Sequence, residues 1–115
     1  MIYVGIDISK YKHDCFICKD TGEVIVENLS FDNNKKGFQY FLDQLKPYNK
    51  SNVQIAFEAT GHYSSNLELF LTNQEYSFMW IFYKEVSDQF IDRASFFALP
   101  QALLKGVTME KEIMS

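Results

Sequence analysis

The sequence predicts an α/β domain built on a five-stranded mixed sheet, and three observations carry that expectation. Three strand-like runs joined by short polar links open the chain. Two stretches with helical spacing of apolar residues follow, and each leads into a further strand-like run. The first and fourth of these runs also end on single carboxylates, Asp7 and Glu58.

In the first run Ile2, Val4, Ile6 and Ile8 alternate with Tyr3, Gly5 and Asp7, the period of two that belongs to a strand. It ends near Ser9, and the polar Lys10 to Lys12 turn the chain. His13 to Lys19 reads as the second strand. Asp20-Thr21-Gly22-Glu23 carries hairpin chemistry, with Gly22 available for a positive φ. Glu23 to Leu29, rich in β-branched residues, is the third strand. The simplest arrangement of these three is an antiparallel meander.

Asn33 and Asn34 offer an N-cap. Phe38, Phe41, Leu42 and Leu45 then recur at i, i+3, i+4 and i+7, one buried helical face, and Pro47 stops the helix. Val53, Ile55 and Phe57 alternate with Gln54, Ala56 and Glu58 in the fourth strand. Tyr63, Leu67, Phe70 and Leu71 mark a second amphipathic helix, capped by Ser64 or Ser65. The aromatic-rich Tyr76 to Tyr83 is the fifth strand. From Lys84 onward no strand signal returns. Val86, Phe90, Ala94 and Phe97 predict a helix to about Leu99, interrupted by Pro100. The expected division is therefore a domain over residues 1–83 and a divergent helical tail over 84–115.

The order is βββαβαβ. Strand-helix-strand crossovers need parallel neighbours and right-handed connections. The first and fourth strands then lie adjacent at the centre of a sheet of order 3-2-1-4-5, with flanking helices. This is the ribonuclease-H-like order, and it sets Asp7 beside Glu58.

Ligands of open α/β sheets collect outside the carboxyl ends of parallel strands. Neighbouring strands lie about 4.8 Å apart, so the two acids converge. Two like charges at 4 Å repel by roughly 4 kcal/mol at an effective dielectric of 20. Such a pair needs a shared proton or a cation, and the cation is the sharper reading. The plainer alternatives are an Asp7 that caps a turn through Ser9 or Lys10, and a Glu58 that is an exposed strand-end acid.

Other candidates carry less. Cys15 and Cys18 form a C-x-x-C, yet on a strand i and i+3 face opposite ways, and no second Cys or His pair stands at ligand spacing. They read as ordinary strand cysteines. His13 and His62 are too few and too separated for a metal cluster. His62 follows Thr60-Gly61 at a helix start, on the same edge as Glu58 or as a plain loop histidine. Thr60 and Ser64 read as hydrogen-bonding groups at a helix start, and Trp80 as core. Asp88 and Asp92 share a helical face and could complete a four-carboxylate, two-metal site. The neighbouring Lys84 and Glu85 make a solvated face the simpler reading.

With 115 residues, 47% of them apolar and 17% aromatic, the chain is one domain at most and can bury a real core. Its formal net charge is −4, which argues against strong autonomous DNA binding without excluding an acidic metal centre. No signal peptide is expected, and no apolar run approaches the roughly 20 residues of a membrane helix. The expectation is a soluble cytoplasmic protein without disulfides.

At Gly5-Ile6-Asp7-Ile8-Ser9-Lys10, followed by His13-Asp14, and at Glu58-Ala59-Thr60-Gly61-His62-Tyr63, the chain resembles the N-terminal domain of DEDD-type insertion-sequence transposases. These are RuvC-like recombinases of bacterial mobile elements, some guided by a bridge RNA. Asn34 to Leu45, with Gly37-Phe38, is similar to that family's first helix. The resemblance covers roughly residues 1–77. It implies a ribonuclease-H fold, Mg²⁺, DNA as partner and DNA strand transfer, with the first family acid at Asp7 and the second at Glu58 as catalytic and metal-binding residues.

Past about Phe78 the resemblance stops. The family's Asn-Pro after the fifth strand, the basic segment with the third and fourth acids, and the C-terminal domain with its serine nucleophile have no counterpart here. Ser87-Asp88-Gln89-Phe90-Ile91-Asp92 has acids at i, i+4, where the family has i, i+3. The expectation is a truncated copy, its reading frame shifted near residue 78, with a weak Mg²⁺ site. An N-terminal transposase fragment, weakly active or inactive alone, is thus the first functional reading. The alternative is a non-catalytic module that self-associates or pairs with full-length transposase. A sugar-kinase-like nucleotide-binding half-domain shares the Gly-Ile-Asp start but lacks a glycine-rich phosphate loop, and ranks last.

Overall fold

The computed structural model describes residues 1–58 and 62–81, the side chains of Glu58 and Ile81 excepted. Its strands are β1 (Ile2–Asp7), β2 (Lys12–Lys19), β3 (Val24–Asp32), β4 (Val53–Glu58) and β5 (Phe78–Ile81), with helices α1 (Lys35–Asp43) and α2 (Ser65–Asn73). The sheet order is β3-β2-β1-β4-β5. β1 pairs antiparallel with β2 and parallel with β4, β2 pairs antiparallel with β3, and β4 pairs parallel with β5. This is the ribonuclease-H-like α/β arrangement expected from the sequence.

Local chemistry explains the joints. Gly22 takes φ 93° in the β2–β3 turn, where its amide donates to Lys19 O at 2.9 Å. That left-handed conformation is accessible to glycine without a Cβ penalty. Asn34 is the N-cap of α1, its side-chain oxygen accepting from the Gly37 amide at 2.8 Å, one of the donors a helix start leaves open. α1 ends at Asp43, before the expected Leu45. Gln44, Leu45 and Tyr48 donate instead to the carbonyls three residues back, a tighter winding that ends the helix ahead of Pro47. Leu45 still closes the core, with no exposed surface.

β3 is the largest departure, running to Asp32 where the sequence suggested Leu29. Its register against β2 shifts between Cys15 and Ile17 and again before Cys18. Such a bulge breaks the period of two that alternation depends on. The extension is held by packing: Phe31 lies opposite His13 and stacks on Phe41 with ring centroids 4.7 Å apart. Tyr63, expected on the buried face of α2, lies before that helix and is 45% exposed. Residues 82–83 of the expected fifth strand and the whole 84–115 tail, with Asp88 and Asp92, lie outside the described residues.

Both helices cover one face of the sheet. Val4 and Ile6 from β1, Cys15 and Ile17 from β2, Ile55 and Phe57 from β4 and Phe78 from β5 meet Phe38, Phe41 and Leu42 of α1 and Leu67 and Leu71 of α2. Strand alternation sends Tyr3, Gly5 and Asp7 to the other face, with Asp14, Phe16 and Cys18 beside them on β2 and Gln54 and Ala56 on β4. The centre of that face is apolar and buried as well: Phe16 is 7% and Ala56 0% exposed. Asp7 is thus an acid at the end of a largely apolar sheet. Among the described residues no helix is long and apolar enough to cross a membrane.

Candidate functional site

The parallel β1–β4 ladder runs from Ile2 opposite Val53 to Ile6 opposite Phe57. Asp7 and Glu58 are the next residues on each strand, and each is the last of its strand. The backbone therefore brings these two positions side by side at the carboxyl ends of two central strands, about 4.8 Å apart by strand spacing. Asp7 is half-buried, on the face away from the helices.

A third acid stands in the same row. The β1–β2 ladder sets Asp14 directly opposite Asp7, and the β2–β3 ladder sets Ser30 opposite Asp14. Ser30 Oγ donates to Asp14 Oδ1. Like charges directly opposite are unfavourable, and the Ser30 hydroxyl offsets part of that by hydrogen-bonding one of them. Sequence reading did not place Asp14 near the pair. The signal was present, because the polar link between β1 and β2, turning about Lys10 and Tyr11, fixes the register that sets position 14 against position 7.

The remaining candidates separate cleanly. Cys15 pairs with Ile6 and Cys18 with Tyr3, so they lie on opposite faces, both free and both buried. Burial, and then the Asp14 charge, pushes the Cys15 thiol up to about 12, which keeps it from becoming the thiolate a metal would need. His13 is buried on the helix face between the rings of Phe31 and Phe38. His62 is exposed. Ser64 is the N-cap residue of α2, and its hydroxyl donates to Glu68 Oε2 at 2.7 Å. Among the described residues no three His, Cys, Asp or Glu side chains stand together as a metal cluster. Thr60, Asp88 and Asp92 lie outside the described residues.

Comparison with protein families adds the deciding observation: the sequence profile of the IS110-type DEDD transposases, described as transposase, matches residues 4–94. The chain belongs to this transposase family. The match takes in Asp7, Asp14 and Glu58 and runs beyond the roughly 1–77 that the two motifs alone carry. A search of curated proteins gave no match.

The carboxyl edge of this transposase domain also carries exposed lysines beside its acids. Lys10 and Tyr11 in the β1–β2 loop, Lys12 at the start of β2, and Lys35 and Lys36 at the start of α1 are all exposed there. Lys10 Nζ lies 5.1 Å from the centroid of the Tyr11 ring, which is itself 76% exposed. Asp20 and Glu23 sit at the opposite end of the sheet, in the β2–β3 turn, where Asp20 pairs with the N-terminal amine and Glu23 with Lys19.

Proposed function

We propose that this chain supplies the N-terminal, metal-binding part of a DNA transposase, with Asp7 and Glu58 as its catalytic, metal-holding acids. The observation that carries this is the β1–β4 register, which makes the two acids neighbours at the carboxyl edge. Their oxygens are the hard donors that Mg²⁺ prefers, and an ion held by so few protein ligands keeps most of its waters and binds loosely. When bound, such an ion polarises a phosphoryl oxygen and activates water. The chain's own part is to fix two carboxylates on adjacent strands and to offer Lys10, Lys12, Lys35 and Lys36 to a phosphate backbone. DNA is the partner this charge arrangement fits, with a guide RNA as a second nucleic acid in the intact family. The cytoplasm is the corresponding location. We place the domain boundary near residue 83.

Two measurements test this. Titration of Mn²⁺ or Mg²⁺ against the wild-type chain and Asp7→Asn should show an affinity at least roughly tenfold weaker in the variant, or about 1.4 kcal/mol. Equal titration curves would remove Asp7 from the site. Incubation of supercoiled plasmid with Mn²⁺ should give nicking that disappears in Asp7→Ala.

The formal net charge of −4, which argues against strong autonomous DNA binding, favours a second reading. In it the chain is a non-catalytic module that self-associates or pairs with full-length transposase. An intact plasmid together with Asp7-dependent metal binding would select this reading over the first.

A further inference from the structure

Among the described residues, two buried side-chain polar atoms lack a hydrogen-bond partner: His13 Nε2 and Asn33 Oδ1. Their chemical identities follow from what the other ends of the two side chains touch. His13 Nδ1 receives the backbone amide of Ser9 at 3.1 Å. An amide only donates, so Nδ1 is unprotonated and Nε2 carries the hydrogen. Asn33 Nδ2 faces two carbonyls, Lys10 O at 3.0 Å and Tyr63 O at 3.2 Å. Carbonyls only accept, so the amino group points at them and Oδ1 points away. One orphan is therefore a donor and the other an acceptor.

We propose that these two atoms satisfy each other, His13 Nε2–H donating to Asn33 Oδ1, and that His13 and Asn33 are a positioning pair that ties the segment after Asp7 to the segment after Glu58. Ser9 and Lys10 follow β1, and Tyr63 follows β4 across the Thr60-Gly61 motif. The Asn33 amide, donating to Tyr11 O at 2.9 Å, adds a backbone anchor to the same loop. The chain leaving each acid is thus held by one side-chain amide, whose orientation is set by one imidazole.

The imidazole is itself fixed. It has no exposed surface, stacks parallel to Phe38 at a centroid distance of 6.3 Å and meets Phe31 edge-on at 5.4 Å. Burial lowers its pKa, while the adjoining Asn33 side chain and the Asp14 charge offset part of that. A neutral ring keeps Nδ1 as the acceptor that Ser9 requires. Leaving a buried donor and acceptor unmatched would cost more than their mutual bond gains, which is why the two orphans belong together.

The proposal makes no use of metal binding for its structural half, and rests on the Asp7–Glu58 reading only for its effect on the site. Long-range ¹H–¹⁵N spectra of the full chain should show neutral His13 as the Nε2–H tautomer, titrating below an ordinary histidine. An Nδ1–H tautomer, or a ring that titrates above the ordinary histidine value, overturns the pair. Amide exchange at Ser9 should rise roughly tenfold in Asn33→Ala, the order expected for losing one buried hydrogen bond, while Ile17 exchange stays as in wild type. Unchanged Ser9 exchange, or a rise spread equally over Ile17, overturns it as well. Mn²⁺ affinity then reads the link to the acids. It should fall several-fold in Asn33→Ala and be retained within about twofold in His13→Gln, whose side-chain amide can replace the Nε2–H donor. Asn33→Ala with wild-type Mn²⁺ affinity removes the positioning role. If wild-type and Asp7→Asn chains bind Mn²⁺ alike, the metal reading fails while the tautomer and exchange results still decide the pair.

Discussion

Phe41→Ala should destabilise the domain by about 3–5 kcal/mol, the range for removing a buried phenylalanine. Phe41 has no exposed surface and stacks on Phe31 at 4.7 Å. Phe31 in turn meets Phe38 and His13 edge-on. Truncating Phe41 therefore opens a hole where α1 meets the end of β3, and aromatic rings fixed by several neighbours cannot collapse to fill it. Against the 5–15 kcal/mol that holds a typical domain, this single change takes a large share. Urea denaturation followed by far-UV circular dichroism checks it. A loss under about 1.5 kcal/mol, nearer a volume-conserving swap, would mean that α1 is not keyed to the sheet through this ring.

Gly37→Ala is the second large effect, and its sign is the informative part. In an exposed helix interior this change stabilises by about 1 kcal/mol through propensity. At Gly37 an added Cβ would overlap the Asp32 carbonyl oxygen and stand 2.6 Å from its nitrogen and 2.7 Å from its carbonyl carbon. These are backbone atoms of a strand residue paired with Lys12, and the Asp32 carbonyl also accepts from the Asn34 amide at 2.9 Å. They cannot rotate aside as a side chain would. Overpacking of this kind costs about 1–3 kcal/mol, enough to reverse the propensity gain. Gly37→Ala should therefore unfold at lower urea than wild type, whereas the exposed Lys36→Ala should change stability by less than about 0.5 kcal/mol. An alanine variant at position 37 as stable as wild type would show that α1 can slide away from β3.

Most of this architecture is legible in the residues. Ile2 to Ile6 and Val53 to Phe57 alternate without interruption because both strands are regular and central, and β4 came out with the bounds read from the sequence. β3 extends through Ser30 to Asp32 in regular register with β2, although the polar Ser30 and Asp32 carry no strand signal of their own. The register shifts lie earlier, between Val24 and Leu29. Leu45 was placed in a helix because its spacing fits, and a tight turn delivers the same side chain to the same core. At the site, Asp7 and Glu58 were readable as strand ends. Asp14 was not, since its place beside Asp7 depends on hairpin register and not on its own neighbours. The inward role of His13 and Asn33 was equally hidden. Both residues are polar at the edge of a loop, and only the third dimension shows which of their atoms face each other.

The β1–β4 ladder has a consequence for the order of assembly. β1, β2 and β3 are joined by short turns, so they can pair while little of the chain has been synthesised. β4 joins β1 across the whole of β2, β3 and α1, from Ile2 to Val53. Closing a span of that length carries an entropy penalty that local hairpins avoid. Until it closes, β1 presents a bare hydrogen-bonding edge and Asp7 stands without its strand neighbour. The two acids thus become neighbours in a late step, when the central parallel pairing completes the sheet. A cation that required both acids, as proposed, would recognise only the finished fold, and by mass action it would draw the nascent chain toward that state.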